Sequence, residues 1–152
     1  MPSRPDISIS THDDCPPQET AIVDAGLDAY NNAAAPLHDV TPLSCFARLP
    51  SGEVIGGAVG RTWGRCSEQQ QLWVAESHRD QGIASRLLRQ FEERAQTRGC
   101  DTYYLTTLSF QAPGFYRKHG YSTATEISGY PQGITKHLMV KETRVAPKGG
   151  GG

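Results

Sequence analysis

SHRDQGIASRLL, residues 77–88, decides the fold, because it places a glycine, a small alanine and an arginine where an extended segment gives way to a helix. Before it, EQQQLWVAE (68–76) passes from polar to apolar residues and predicts a strand. After it, one face of a 3.6-residue repeat is apolar, which predicts an amphipathic helix from Gly82 onward. That face carries Ile83, Leu87, Leu88, Phe91 and Ala95. Gly99 is placed to end this helix in the left-handed conformation.

The start of this helix has the features of a phosphate site. A helix N-terminus has unpaired N–H groups and roughly half a positive charge. Gly82 and Ala84 let an anion approach the backbone closely, and Arg79 and Ser85 can add hydrogen bonds. The alternative is that Gly82 only permits a tight turn and that Arg79 is a solvated charge. The strand before the turn and the helix after it favour the phosphate interpretation.

Length and charge restrict the class of protein. A chain of 152 residues has room for one domain, expected over residues 1–145, and the Gly-rich end at 146–152 is expected to be a flexible tail. The net charge of −1 gives no broad electrostatic case for nucleic acid or an anionic membrane. No apolar run reaches the ~20 residues of a membrane span, and residues 1–10 lack a signal peptide's apolar segment, so a cytoplasmic location is expected.

Cysteine and histidine positions give no metal-binding pattern. The four cysteines and five histidines are dispersed without the paired spacing of a zinc site. We expect reduced thiols and no metal.

The remaining elements follow from periodicity and turn residues. DISIST (6–11) predicts a first strand, and ETAIVDAGLDAYNNAAA (19–35) a helix that Gly26 weakens or divides. A hairpin is predicted around Pro50, Ser51 and Gly52. The further predictions are a strand at 101–108, a short helix at 112–120, and two last strands at 121–128 and 136–142. The fold class is therefore mixed α/β (α+β).

Two segments resemble the GNAT (Gcn5-related N-acetyltransferase) superfamily. RDQGIA (79–84) fits that family's R/Q-x-x-G-x-G/A motif, and LWV (72–74) stands where the family has its fourth strand. SFQAPGFYRKHGY (109–121) resembles the block N-x-x-A-x-x-L-Y-x-x-x-G-F. With the element order, the resemblance covers about residues 5–143. It implies a mostly antiparallel sheet of six to seven strands, with helices on both faces and strands four and five splayed.

The resemblance also implies acetyl-CoA as donor. Its pyrophosphate would lie on Arg79, Gln81, Gly82, Ile83, Ala84 and Ser85, and its pantetheine arm would pair with the backbone of Trp73, Val74 and Ala75. The downstream block adds Ser109, Ala112, Phe115 and Tyr116. The sequence departs from the motif at Ala84, a position where the pattern allows alanine, and at Ser109, where many members have asparagine.

Amine acetylation needs a proton acceptor for the amine and a proton donor for the thiolate. Tyr116 matches the family's recurrent tyrosine and is the candidate donor; the alternative is that it only packs at its helix. Glu68 is the candidate base, expected to share a face with Leu72 and Val74. It could equally be an ordinary surface carboxylate, and a water chain could replace any base. The Val74 N–H could stabilise charge on the carbonyl oxygen.

Acceptor specificity in this family comes from the first helix and the last loop. Here these regions and the third strand contribute Asp28, Tyr30, Asn32, Asp39, Trp63 and Tyr130, together with Glu68. The carboxylates suit a cationic acceptor such as an amino sugar or polyamine. Residues 26–49 are also similar to a bacterial branch that acetylates aminoglycoside-type antibiotics such as kasugamycin.

The leading hypothesis is N-acetylation of a small-molecule amine, favouring an aminoglycoside-type antibiotic and hence resistance. The alternatives are a protein or peptide N-acetyltransferase and a non-catalytic sensor that binds acyl-CoA. A P-loop is disfavoured because no Gly-Lys-Ser/Thr follows, and a Rossmann loop because the first glycine of its motif is absent. Many members of the family form homodimers, but the sequence shows no interface stripe, so the oligomeric state stays open.

Overall fold

The computed structural model describes residues 3–143 of the 152-residue chain, which divides after His38 into two compact units. The predicted flexible tail at 146–152 lies outside the described residues. In the first unit, the helix α1 (Pro17–Ala34) begins at a proline and ends just before Pro36. This confirms the helix predicted at 19–35. Gly26 lies inside it without dividing it.

The strand predicted at DISIST is wrong. Residues 6–11 have no regular secondary structure, and Ile7 and Ile9 are 84% and 90% exposed. A two-residue alternation predicts a strand only if one face becomes buried against a partner, and these side chains are not buried.

The second unit is a mixed α/β sheet with six strands. The elements are β1 (Thr41–Arg48), β2 (Val54–Trp63), β3 (Cys66–Val74), α2 (Ile83–Thr97), β4 (Thr102–Leu108), α3 (Pro113–Lys118), β5 (Ser122–Ile127) and β6 (Lys136–Glu142). The strand order is β1-β2-β3-β4-β6-β5, and all neighbours are antiparallel except β3 and β4. The predicted fold class is confirmed with six strands.

The parallel pair β3–β4 is joined at one end only. Cys66, Ser67 and Glu68 pair with residues 102–104, and the pairing stops there. Six further residues of β3 continue without a partner on this side. These two strands correspond to the fourth and fifth predicted ones, so the expected splay is present.

A bulge at Gln70 interrupts the β2–β3 ladder. Gly60 pairs with Gln69 and Val59 with Gln71, so Gln70 is the extra residue. The burial pattern changes phase here: Ser67 and Gln69 are buried before the bulge, and Val74 after it. The expectation that Glu68 shares a face with Leu72 and Val74 is therefore wrong.

Helix α2 packs on one face of the sheet through the apolar stripe that was predicted. Leu87, Leu88, Phe91 and Ala95 are buried. They join a core to which the sheet and α3 contribute Leu43, Ala58, Val74, Tyr103, Leu105, Met139 and Tyr116. Gly82 at its start and Gly99 after its end have positive φ, as their predicted roles require. None of the described helices is both long and apolar enough to span a membrane.

Candidate active site

A cleft of about 1140 Å³ lies where β3 separates from β4. Its walls come from the second half of β3, the loop leading into α2, the end of β4 and the start of α3. Of the residues predicted to bind the cofactor, it is lined by Trp73, Val74, Arg79, Gly82, Ile83, Ala84, Ser85, Ala112, Phe115 and Tyr116. Ala75, Gln81 and Ser109 do not line it. The two predicted motifs therefore meet at one cleft.

One end of the cleft has unpaired backbone donors. The N–H groups of Ile83, Ala84 and Ser85 have no acceptor within residues 3–143, and the first intrahelical bond runs from Arg86 N–H to the Gly82 carbonyl. Gly82 has φ +77°, and a Cβ built on it meets no atom within 4 Å. Open space in front of three free amides at a helix N-terminus fits a pyrophosphate.

Two side chains at this end already have partners. Arg79 Nε donates to the Val74 carbonyl oxygen at 3.1 Å. Ser85 Oγ lies 3.0 Å from Nε2 of His119, whose ring packs on Phe115 with 4.7 Å between the ring centroids. His119 was not predicted from the sequence as a site residue. Its contact with Ser85 joins the start of α2 to the end of α3.

The β2–β3 ladder determines which backbone groups of β3 face the gap. Ala75 N–H donates to the Ile55 carbonyl at 2.7 Å. Bonded pairs alternate along an antiparallel ladder, so the next bonded pair is Trp73 with Gly57, and the backbone of Val74 points the other way. Of Trp73, Val74 and Ala75, only Val74 therefore has a backbone N–H that faces the gap and could pair with the pantetheine arm. Trp73 lines the cleft although its backbone pairs with β2, and the Ala75 N–H is already bonded.

Tyr116 lies on α3 at the floor of the cleft and is 8% exposed. Its hydroxyl accepts a hydrogen bond of 3.1 Å from Gln69 Nε2, and its ring packs edge-on against Phe115 and Tyr121. Burial raises the pKa of Tyr116, and the bond from Gln69 opposes that rise in part. The phenol is therefore protonated at neutral pH and can act as a proton donor.

Glu68 lies outside the residues that line the cleft. Its carboxylate accepts a hydrogen bond of 2.9 Å from Arg61 Nε, and its proximity is a secondary cause, after burial, of the raised pKa of Tyr104. Adjacent strand residues point to opposite faces, so Glu68 points away from the face on which Gln69 meets Tyr116. Glu68 is also the last β3 residue paired with β4.

The remaining predicted residues lie in five places. Ser109 Oγ accepts a hydrogen bond from Thr135 N–H at 3.0 Å and so joins the end of β4 to the segment before β6. Trp63 ends β2 and Tyr130 precedes the 3-10 turn Pro131–Gly133; neither lines the cleft. Asp39 ends the turn Leu37–Asp39. The other three, Asp28, Tyr30 and Asn32, lie on α1 in the first unit.

Several polar cleft residues were not predicted. Thr107 Oγ1 lies 3.3 Å from Gln111 Oε1, which also accepts from Leu108 N–H at 2.8 Å. Gln69, Gln70 and Gln71 form a further polar group on β3. The run of three glutamines directly before the apolar residues of this strand was the available signal. Among the described residues, no group of three or more histidine, cysteine or acidic side chains is arranged to hold a metal.

The profile of the Acetyltransferase (GNAT) family matches residues 9–121, which is most of the chain. The chain belongs to the GNAT acetyltransferase family. It is 40% identical over 111 residues to the blasticidin-S acetyltransferase of Streptomyces morookaense, covering 70% of this chain and 82% of that protein. It is 38% identical over 104 residues to an acetyltransferase of Agrobacterium fabrum, covering 68% and 75%.

A crystal structure of an acetyltransferase from Bacillus cereus has the same fold, with a TM-score of 0.74 and 28% identity, covering 88% of this chain and 97% of the other. This GNAT protein is an acetyl-CoA-dependent N-acetyltransferase. Acetyl-CoA supplies the activated acetyl group as a thioester. The free amides and Arg79 would hold its anionic part, and the gap beside β3 would accommodate its extended arm.

Proposed function

We propose that this acetyltransferase transfers acetyl to a primary amine of a small antibiotic molecule. One observation carries the catalytic part: the free amides of Ile83, Ala84 and Ser85 open onto the same cleft as the buried hydroxyl of Tyr116. Similarity to a blasticidin-S acetyltransferase supports an antibiotic as acceptor. An aminoglycoside-type antibiotic is the other acceptor that the sequence favours.

Tyr116 is the proton donor in this proposal. Its hydroxyl accepts from Gln69, and no acceptor for its proton is present within residues 3–143, so the O–H can point into the cleft. Its raised pKa keeps that proton in place at neutral pH. A tyrosine in this state can protonate the sulfur that leaves when the thioester is broken.

Glu68 is the proton acceptor in this proposal. Its carboxylate lies on the opposite face of β3 from the contact between Gln69 and Tyr116, at the point where β3 and β4 begin to separate. The amine and the departing sulfur occupy different positions around the acetyl carbon. An acid and a base on opposite faces of β3 would serve these two atoms without exchanging a proton with each other.

The Val74 N–H is the proposed donor to the acetyl carbonyl oxygen. It points into the gap because the ladder turns it away from β2. The bond from Arg79 to the Val74 carbonyl fixes the orientation of the same residue. A fixed N–H aimed at the oxygen that gains negative charge lowers the barrier to acyl transfer.

An acceptor screen tests the proposal. Purified protein and acetyl-CoA are combined with blasticidin S, kasugamycin, a polyamine panel or peptides with free N-termini and lysines, and free thiol release is measured. We expect turnover with one of the antibiotics and a kcat about 100-fold lower in Tyr116→Phe. Turnover with peptides alone would overturn the small-molecule assignment, and tight acetyl-CoA binding without turnover on any acceptor would favour the sensor.

A further inference from the structure

Gln69 makes a buried side-chain contact with Tyr116, the proposed proton donor. This β3 residue is 5% exposed and lies beside the cleft. Its Nε2 donates to Tyr116 Oη at 3.1 Å, while its Oε1 is buried and has no hydrogen-bond partner among the described residues. A buried glutamine with one unpaired atom is costly to a fold, so its retention beside the cleft calls for an explanation.

We propose that Gln69 positions the hydroxyl of Tyr116 for proton donation, an inference that rests on the proposed role of Tyr116 as the acid. The amide N–H occupies one lone pair of the phenol oxygen. The phenol cannot then donate to Gln69, and its proton is directed elsewhere. The cleft is the direction open to that proton, because Tyr116 lines the cleft while its ring packs against Phe115 and Tyr121.

Gln69 also stabilises the product of the proton transfer. Tyr116 Oη gives its proton to the leaving sulfur as the C–S bond breaks and the N–C bond forms, while Glu68 takes the proton of the amine. The phenolate that remains is buried, and burial disfavours a charged oxygen. The N–H of Gln69 donates to that oxygen and offsets this cost. Exchange with solvent afterwards restores the protons of both side chains.

The backbone fixes the direction of the Gln69 side chain. Gln69 pairs with Gly60 and directly precedes the bulge residue Gln70. A Cβ on Gly60 would collide with the Glu68 carbonyl oxygen and meet the ring of Phe91 at 2.9 Å, so β2 and α2 pack closely here. The side chain therefore reaches Tyr116 from a rigid position.

The variant Gln69→Glu tests whether the amide N–H of Gln69 is what directs the Tyr116 proton. A glutamate at 69 has nearly the same shape, but its carboxylate only accepts hydrogen bonds. Tyr116 would donate its proton to that carboxylate instead of pointing it into the cleft. Leucine at 69 removes the donor and also removes the unpaired Oε1, so the fold should lose little stability.

The experiment compares Gln69→Leu, Gln69→Glu, Tyr116→Phe and the double variant Gln69→Leu/Tyr116→Phe. The measurements are kcat and the KM for acetyl-CoA with an acceptor that the screen identifies, together with the Tm. We expect Gln69→Leu to lower kcat about tenfold, the size of one hydrogen bond to a charged oxygen, without a matching change in KM. Gln69→Glu should be at least as slow. The double variant should be no slower than Tyr116→Phe, because the two residues act through one hydroxyl.

The outcomes separate this inference from the proposed acid. If Tyr116→Phe is slow while Gln69→Leu turns over like the wild type, Tyr116 is the acid and the inference about Gln69 is overturned. If the two losses multiply in the double variant, or if kcat falls only together with the Tm, Gln69 has a structural role and the inference is again overturned. If Tyr116→Phe is fully active, the proposed acid fails and the role of Gln69 fails with it.

Discussion

The Nε of Arg79 donates a hydrogen bond to the carbonyl oxygen of Val74 at 3.1 Å, and this bond joins the loop before α2 to the end of β3. The loop carries the free amides, and Val74 directs its own N–H toward the gap. The Arg79 side chain therefore fixes the proposed anion site and the proposed carbonyl donor relative to each other.

Arg79→Ala should weaken acetyl-CoA binding. The variant loses both a positive charge near the pyrophosphate and the bond to Val74, together about 1.5–3 kcal/mol, so the Kd from calorimetric titration should rise roughly 10- to 100-fold. Arg79→Lys keeps the positive charge but loses the planar guanidinium group, and its Kd should lie between those of the wild type and Arg79→Ala. A Kd for Arg79→Ala within about twofold of wild type would contradict the anchoring role.

Gly82→Glu should abolish acetyl-CoA binding while the protein remains folded. The added carboxylate enters the open space before the helix N-terminus and repels the pyrophosphate. Gly52→Glu is the matched control, because Gly52 also has positive φ and open space around a built Cβ but does not line the cleft. Both variants should lose about 1–2 kcal/mol of stability from the left-handed backbone. Equal Kd values in the two would remove the anion site from loop 79–85.

The advantage given by Tyr116 should persist well into alkaline pH. An acid works in its protonated form, and burial raises the pKa of Tyr116 above the ordinary value of about 10. The ratio of wild-type kcat to Tyr116→Phe kcat should therefore stay constant from about pH 7 to pH 9.5 and decline only as the pH passes through the raised pKa. A ratio that falls with a midpoint near pH 8 would assign the proton to another group.

Glu68→Gln should lower kcat/KM about 100-fold if the carboxylate accepts the amine proton. Arg61→Gln is the matched control, because it breaks the same ion pair and leaves the carboxylate in place. The pair is partly exposed, so each variant should lose no more than about 1 kcal/mol of stability. Steady-state kinetics and urea unfolding measure the two quantities. If both variants retain wild-type kcat/KM, Glu68 is an ordinary surface carboxylate.

Gly60→Ala should be strongly destabilising and Gly57→Ala only mildly so. A Cβ at 60 collides with the backbone oxygen of Glu68 and comes within 2.9 Å of the Phe91 ring, neither of which can easily move. A Cβ at 57 meets chiefly the half-exposed ring of Phe46, which can rotate away. We expect losses of about 3 kcal/mol and under about 1 kcal/mol in urea unfolding. A loss of stability in Gly60→Ala as small as that in Gly57→Ala would show that the backbone around the bulge can rearrange to accommodate the added Cβ.

Elements with a strong repeat or a clear turn residue could be predicted from the sequence. Helix α2 has an apolar stripe along its whole length and glycines at both ends, and the hairpin between β1 and β2 has its turn residues in place. The helix N-terminus with small residues, on which the proposed anion site depends, could be predicted from the same segment. These features are local and need no knowledge of distant parts of the chain.

Features that depend on contacts between distant segments of the chain could not be predicted from the sequence. The strand expected at residues 6–11 needed a neighbouring strand, and the contacts of Gln69 and His119 join elements far apart in the sequence. The bulge at Gln70 was hidden as well, because one extra residue leaves the composition of β3 unchanged and alters only its phase. That change of phase is why Glu68 was assigned to the wrong face.

The short β3–β4 pairing leaves the centre of the sheet with two strand edges that are not paired with each other beyond Glu68. Unsatisfied strand edges are usually confined to the rim of a sheet, where they attract extended segments of other polypeptides. Here the edges are internal, so whatever extended molecule lies between them completes the hydrogen bonding of the fold. Cofactor occupancy should therefore act as a stabiliser of the native state, and cells short of acetyl-CoA would hold a less durable protein.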